Sequence, residues 1–299
     1  TPMELGATWF SDIHGGLMEL IDELGLVKYP QYSEGISLFQ TKSFEPPQQF
    51  FIPGAERPSY RIAGGTQMLI NALAQKIHAE NIRFHKKVTN IKQGANHLTV
   101  DMADGTTLAA DRIIVCIPPQ LAAASIRFAP ALPEPVSRIL SAVQTWMAGS
   151  IKFTLEYDEP FWRKQGYSGM LYSHAGIITE MYDHTNFEED QYGLTGFLNS
   201  GAAVYSREVR KAFALRQLKE LLGEKVMHPL AYFDKIWNDE LVVYGDPVFS
   251  VPHQNNGDPV FLSSYMNERL FFCGTETASA FPGYMEGAVV AARLVCDRL

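Results

Sequence analysis

Two stretches of this 299-residue chain have residue types and spacing suited to chemistry. The first begins with Leu270-Phe271-Phe272-Cys273-Gly274-Thr275-Glu276-Thr277-Ala278, a short apolar run that reads as a buried strand ending in glycine. Further on, Pro282-Gly283 opens an apolar, alanine-rich helix that takes in Tyr284 and Met285 and runs almost to Leu299. A strand, a loop and a helix N-terminus gather unpaired N–H groups and partial positive charge at one point. That point suits an electron-rich or anionic ligand, although the pattern equally describes a strand–loop–helix that merely closes an α/β sheet. The second stretch is Ser150-Ile151-Lys152-Phe153-Thr154-Leu155-Glu156-Tyr157, which alternates like a strand with one buried face. Ile151, Phe153 and Leu155 share that face, and the alternation predicts that Lys152 points to solvent.

Other chemistries find little support. The histidines show no HxxxH or HExxH spacing, and no cysteine pair has metal-ligand spacing, so no metal site is expected. Cys116, Cys273 and Cys296 each sit in an apolar run and read as inert buried thiols of a reducing compartment, implying a cytoplasmic protein. No Ser-His-Asp arrangement or carboxylate pair calls for another mechanism. A net charge of −8 argues against a nucleic-acid partner or an anionic membrane surface. No apolar run reaches the ~18 residues of a membrane-spanning helix, and no signal peptide is visible.

The elements that must position these stretches follow from periodicity. Helices are predicted over about 13–25, after Thr66 as N-cap, over 136–143 and over 206–222. Strands are predicted at 82–85, 88–92, 98–102, 107–110, 112–117, 169–172, 176–181, 193–200 and 230–237. Residues 28–60 are rich in proline and aromatics and read as a loop or irregular hairpin.

GTETA (274–278) followed by PGYMEGAV (282–289) resembles the C-terminal flavin-contacting segment of the flavin-containing amine oxidases, the monoamine oxidase family. The likeness recurs at Met3-Glu4-Leu5-Gly6-Ala7-Thr8-Trp9, Ala63-Gly64-Gly65-Thr66, Ile117-Pro118-Pro119 and Glu159-Pro160-Phe161-Trp162-Arg163-Lys164, in the family's order and over most of the chain. The resemblance implies an α/β (α+β) two-domain fold: a partial dinucleotide-binding domain (1–28, 58–141 and 240–299) and a mixed-sheet substrate domain (29–57 and 142–239). It implies oxidation of a small-molecule amine, with a hydride equivalent passing from the carbon beside nitrogen to FAD and oxygen reoxidising the flavin.

On this resemblance, FAD contacts fall on Gly6, Ala7, Thr8, Trp9, Val88, Trp237, Gly274, Thr275, Glu276, Gly283, Tyr284 and Met285. Lys152 takes the place of the catalytic lysine seven residues before Glu159, and Tyr284 that of an aromatic wall beside the amine. Counting from Trp237 puts Asp246 where some relatives attach flavin to a cysteine, and Pro247 where a second aromatic wall belongs, with Tyr244 or Phe249 as substitutes. Flavin would therefore be held without a covalent bond. The family's opening GxGxxG turn, which wraps the ADP half of FAD, has no counterpart here, so weak FAD binding by this chain is expected. Truncation is the expected reason, with a split enzyme or loss of the cofactor as alternatives. A flavin desaturase or porphyrinogen oxidase, and a cofactor-free binding or scaffold protein, remain rival readings.

Overall fold

The computed structural model describes residues 3–42, 44–52, 58–239 and 251–299. Tyr244, Asp246, Pro247 and Phe249 lie outside the described residues. The chain divides into two compact units: Thr1–His14, Met18–Leu73 and Gly149–Trp237 form one, and Gly15–Leu17, Ala74–Ala148 and Asn238–Leu299 the other. Residues 1–14, 18–28 and 58–73, expected with the dinucleotide-binding segments, thus cluster with the unit that carries Lys152.

The first unit is built on a seven-stranded sheet in the order Ala231–Ile236, Ile151–Tyr157, Tyr192–Leu198, Ile178–Asp183, Tyr167–Ser173, Ile36–Gln40, Gln48–Phe51. All neighbours are antiparallel except Tyr167–Ser173 beside Ile36–Gln40. The helix Arg207–Leu222, capped by Ser206, sets Ala214, Leu215, Leu218, Leu221 and Leu222 into the same core as Ile151, Phe153 and Leu155. Residues 28–60 contain the hairpin that is one of their two expected forms, and more regular strand than expected. They hold strands at Lys28–Pro30, Ile36–Gln40 and Gln48–Phe51, and the last two form a hairpin on the sheet edge. The hairpin's attachment to the sheet through Tyr167–Ser173 is long-range, as the Ser37–Ser168 hydroxyl contact at 2.8 Å illustrates, so a local reading could not find it.

The alternation at 151–157 holds, but its implication for Lys152 does not. Every residue from Ile151 to Leu155 is buried, and Lys152 is only 2% exposed. The face opposite the apolar core is roofed by residues 6–9, to which the Lys152 amine is bonded.

The second unit contains a four-stranded sheet, Thr107–Ala110, Leu98–Met102, Val88–Gln93 and Arg127–Ala129, and a parallel pair, Ile113–Val115 with Leu270–Phe272. Helices Pro119–Ser125, Glu134–Ala142 and Met285–Cys296 complete it. Residues 82–85 are irregular rather than a strand. Pro119 is the first residue of the helix Pro119–Ser125, a position that needs no backbone donor. The last helix begins at Met285 rather than at Gly283, with Tyr284 at its N-cap. Cys116 and Cys296 are exposed and Cys273 is half-buried, because strand ends and the final helical turn leave them uncovered; none is the buried thiol expected. Among the described residues no helix is long and apolar enough to cross a membrane.

Candidate functional site

In the first unit the predicted residues converge on the segment 5–9. Lys152 Nζ donates to the Gly6 carbonyl at 2.8 Å and to Thr8 Oγ1 at 2.5 Å, and lies 4.7 Å from the Trp9 ring centre and 5.9 Å from that of Phe197. Burial pushes the Lys152 amine down from 10.5 to about 7; Glu4 opposes this and Arg61 adds to it. A lysine of this kind exchanges its proton near neutral pH, as a general acid or base must. Trp237 Nε1 donates to the Leu5 carbonyl at 2.7 Å, and its ring would lie 3.6 Å from a Cβ added to Gly6. The Ala7 carbonyl accepts from Thr66 Oγ1 at 3.0 Å. Gly6 and Ala7 are exposed while Thr8 is buried, so this turn presents bare backbone on its outer side.

Several supporting residues escaped sequence reasoning. Glu4 is buried; its Oε1 accepts from the Thr66 backbone at 2.8 Å, and its Oε2 lies 3.7 Å from both Arg61 and His184. Asp183, also buried, accepts from Arg163 through two oxygens at 2.7 and 2.9 Å, from Trp162 Nε1 at 2.8 Å and from the Thr185 backbone at 2.8 Å. The Trp-Arg pair of the 159–164 motif is thus a clamp on one buried carboxylate. Only the motif itself hinted at this in the sequence, since nothing local marks Asp183.

Trp9 joins the lysine cluster to a cavity of about 750 Å³. Trp9, Tyr29, Tyr32, Tyr172 and Tyr182 line it, together with Arg61 and Arg163. Trp9 packs against Tyr182 with ring centres 5.1 Å apart and planes tilted by 59°, and donates to Gln31 at 2.7 Å, which fixes the shared wall. The volume suits a small molecule held on aromatic faces.

In the second unit Gly274, Thr275 and Glu276 approach Tyr284. Thr275 Oγ1 donates to the Tyr284 carbonyl at 2.6 Å, and Glu276 is a buried carboxyl whose proton affinity burial raises. Tyr284, at the exposed N-cap of the helix Met285–Cys296, gives that helix no side-chain cap. Its aromatic neighbours are Trp146 and His253, with ring centres 6.3 and 6.1 Å away, two residues that periodicity had no means of selecting. Gly283 has φ +83°, and a Cβ there would meet Trp146 Cβ at 2.5 Å. Glu286 accepts from the Gly16 and Leu17 backbones at 2.9 and 2.6 Å, a helix cap that is also missing from the sequence reading. Val88 lines a second cavity, of about 740 Å³, with Ile114, Cys116 and Ile117. The carbonyls of Cys116 and Ile117 lie 3.9 and 3.6 Å from a Cβ added to Gly274, so this cavity and the glycine turn adjoin.

A family profile described as flavin containing amine oxidoreductase matches residues 34–299. The chain is 32% identical to a probable flavin-containing monoamine oxidase A of Dictyostelium discoideum over 236 residues, 77% of this chain and 50% of that protein. It is 28% identical to the flavin-containing amine oxidase A of Bos taurus over 251 residues, 80% of this chain and 45% of that one. The chain therefore spans about half the length of these curated relatives. A solved putrescine oxidase double mutant superposes with a TM-score of 0.82 at 20% identity, covering 99% of this chain and 88% of that one. Cyclohexylamine oxidase from Brevibacterium oxydans superposes with a TM-score of 0.81 at 18% identity, with the same coverage. The fold is that of these enzymes, and the chain belongs to the flavin-containing amine oxidoreductase family.

Proposed function

We propose that this chain is the catalytic body of an FAD-dependent amine oxidase that acts on a small amine and uses oxygen as the final electron acceptor. Lys152 carries the reading: a buried amine set to change protonation near neutral pH, held by a turn whose tryptophan lines an aromatic cavity. The residues present fit a flavin in two places. The exposed Gly6-Ala7 backbone admits a flat ring closely, and the N-terminus of Met285–Cys296, without a side-chain cap, offers N–H groups to negative charge. In this proposal the cofactor-contacting residues are those that the resemblance implies: Gly6, Ala7, Thr8, Trp9, Val88, Trp237, Gly274, Thr275, Glu276, Gly283, Tyr284 and Met285. A bound flavin supplies the acceptor for the hydride equivalent leaving the carbon beside nitrogen.

The chain's own groups do the rest. Trp9, Tyr172 and Tyr182 orient the amine and exclude water from its path. Lys152 Nζ takes up a proton when neutral and returns it when charged, with Gly6 O and Thr8 Oγ1 fixing its position. Tyr284 adds an aromatic face that aligns a neutral amine. In this proposal the cofactor is held without a covalent bond, as the resemblance implies for a chain with Asp246 in place of an attaching cysteine.

The test is peroxide release from a panel of primary, secondary and polyamine substrates, with FAD in excess and wild type compared with Lys152→Met. Amine-dependent release that falls about 100-fold in the variant is expected. Flavin-loaded protein that releases no peroxide with any amine overturns the activity. Protein that binds no flavin at all moves the chain to the cofactor-free binding or scaffold reading.

A further inference from the structure

The parallel pair Ile113–Val115 and Leu270–Phe272 runs in register, with Val115 opposite Phe272. The next residues on the two strands are Cys116 and Cys273, and the Cys273 N–H donates to the Val115 carbonyl at 2.9 Å, so the ladder extends to this pair. Neighbouring strands lie about 4.8 Å apart, inside the Cα separation of roughly 4.4–6.8 Å that a disulfide spans. The two thiols are close enough to shift each other's proton affinity, and Cys116 Sγ lies 3.9 Å from the Ile114 carbonyl, its hydrogen-bond acceptor. Neither is sealed in the core: Cys116 is exposed and lines the cavity of about 740 Å³ beside Val88, and Cys273 is half-buried.

We propose that Cys116 and Cys273 form a peroxide-reactive thiol pair that closes reversibly to a disulfide beside the Gly274 turn. The roles follow from the register of the two strands and from exposure. Cys116 is the accessible one, and the neighbouring Cys273 thiol lowers its proton affinity, which favours the reactive thiolate. Cys273 is pushed upward by the same contact and by burial, and stays protonated until its partner has reacted.

The Cys116 thiolate attacks one oxygen of hydrogen peroxide, the O–O bond breaks, and a sulfenic acid and hydroxide result. Hydroxide takes the Cys273 proton. The Cys273 thiolate then attacks the sulfenic sulfur and expels a second hydroxide, which is neutralised by the proton Cys116 gave up. In sum two thiols are oxidised, one peroxide is reduced and two waters form. A dithiol reductant reverses the bridge by exchange. The proposed oxidase reaction would generate the same oxidant at close quarters, but the pair's reactivity does not depend on that reading.

Reduced wild-type chain treated with hydrogen peroxide, without flavin or amine, tests the proposal directly. The expected result is loss of two of the three free thiols, a mass lower by about 2 Da, and a peptide linking Cys116 to Cys273 that dithiothreitol separates. Cys273→Ser should leave Cys116 as a sulfenic acid trapped by dimedone, and Cys116→Ser should slow the reaction of Cys273 by at least about tenfold. Three intact thiols in wild type after treatment overturn the proposal, whatever the variants do. So does a bridge that recruits Cys296, or one formed only between molecules. Because no step of this assay needs amine oxidation, its failure is distinct from failure of the oxidase reading.

Discussion

The amine of Lys152 sits 4.7 Å from the centre of the Trp9 ring, on a strand whose alternation would have turned it to water. Burial favours the neutral form of this lysine, whereas the ring, Gly6 O and Thr8 Oγ1 favour the charged one; burial prevails, and the amine titrates near 7.

That balance fixes the pH dependence of stability. Between about 7 and 10.5 the unfolded chain holds one more proton at Lys152 than the folded chain, so stability rises with pH across this window. Below it, both states are charged and the dependence vanishes. Lys152→Met should remove a slope of up to ~1.4 kcal/mol per pH unit, measured by urea unfolding at intervals across that range. A wild-type slope no steeper than that of the variant would contradict the assignment.

Asp183 holds four donors from Arg163, Trp162 and Thr185 at a fully buried position. Asp183→Asn leaves the Arg163 charge poorly matched and should cost roughly 3–5 kcal/mol in denaturant. A loss below about 1 kcal/mol would mean that the clamp is ornamental.

Glu276 gives the opposite sign to a stabilising carboxylate. Its folded-state proton affinity is raised by burial, so the folded chain binds more protons than the unfolded one as pH climbs past the ordinary carboxylate range, and stability falls there. Glu276→Gln is expected to be more stable than wild type at neutral pH and equal to it in acid. Thermal melts at two pH values decide this; a variant less stable at neutral pH refutes it.

Gly283 combines φ +83° with a Cβ position only 2.5 Å from Trp146 Cβ. Gly283→Ala should lose about 2 kcal/mol or more. It should also change the near-ultraviolet circular dichroism of the Trp146–Tyr284 neighbourhood, and an unchanged spectrum with unchanged stability would show that the turn tolerates a side chain.

What the sequence revealed, it revealed locally. The helix Arg207–Leu222 and its Ser206 cap follow from periodicity and a hydroxyl at the right place, and the strand Ile151–Tyr157 follows from alternation. The covering of Lys152 does not, because Thr8 is 144 positions away and no periodicity registers such a partner. Resemblance pointed to Lys152 where pattern pointed away from it. Glu4, Asp183 and Trp146 stayed hidden for a related reason: each draws its meaning from neighbours distant in the chain.

Trp9 both meets the Lys152 amine and lines the large cavity. A cation entering that cavity displaces water and adds positive potential close to the amine, and both effects drive the Lys152 proton off. Guest and proton therefore exclude one another: loading the cavity near neutral pH releases acid, and acidifying the solution loosens the guest by the same factor. Calorimetry in two buffers of different ionisation enthalpy would register that exchange as heat.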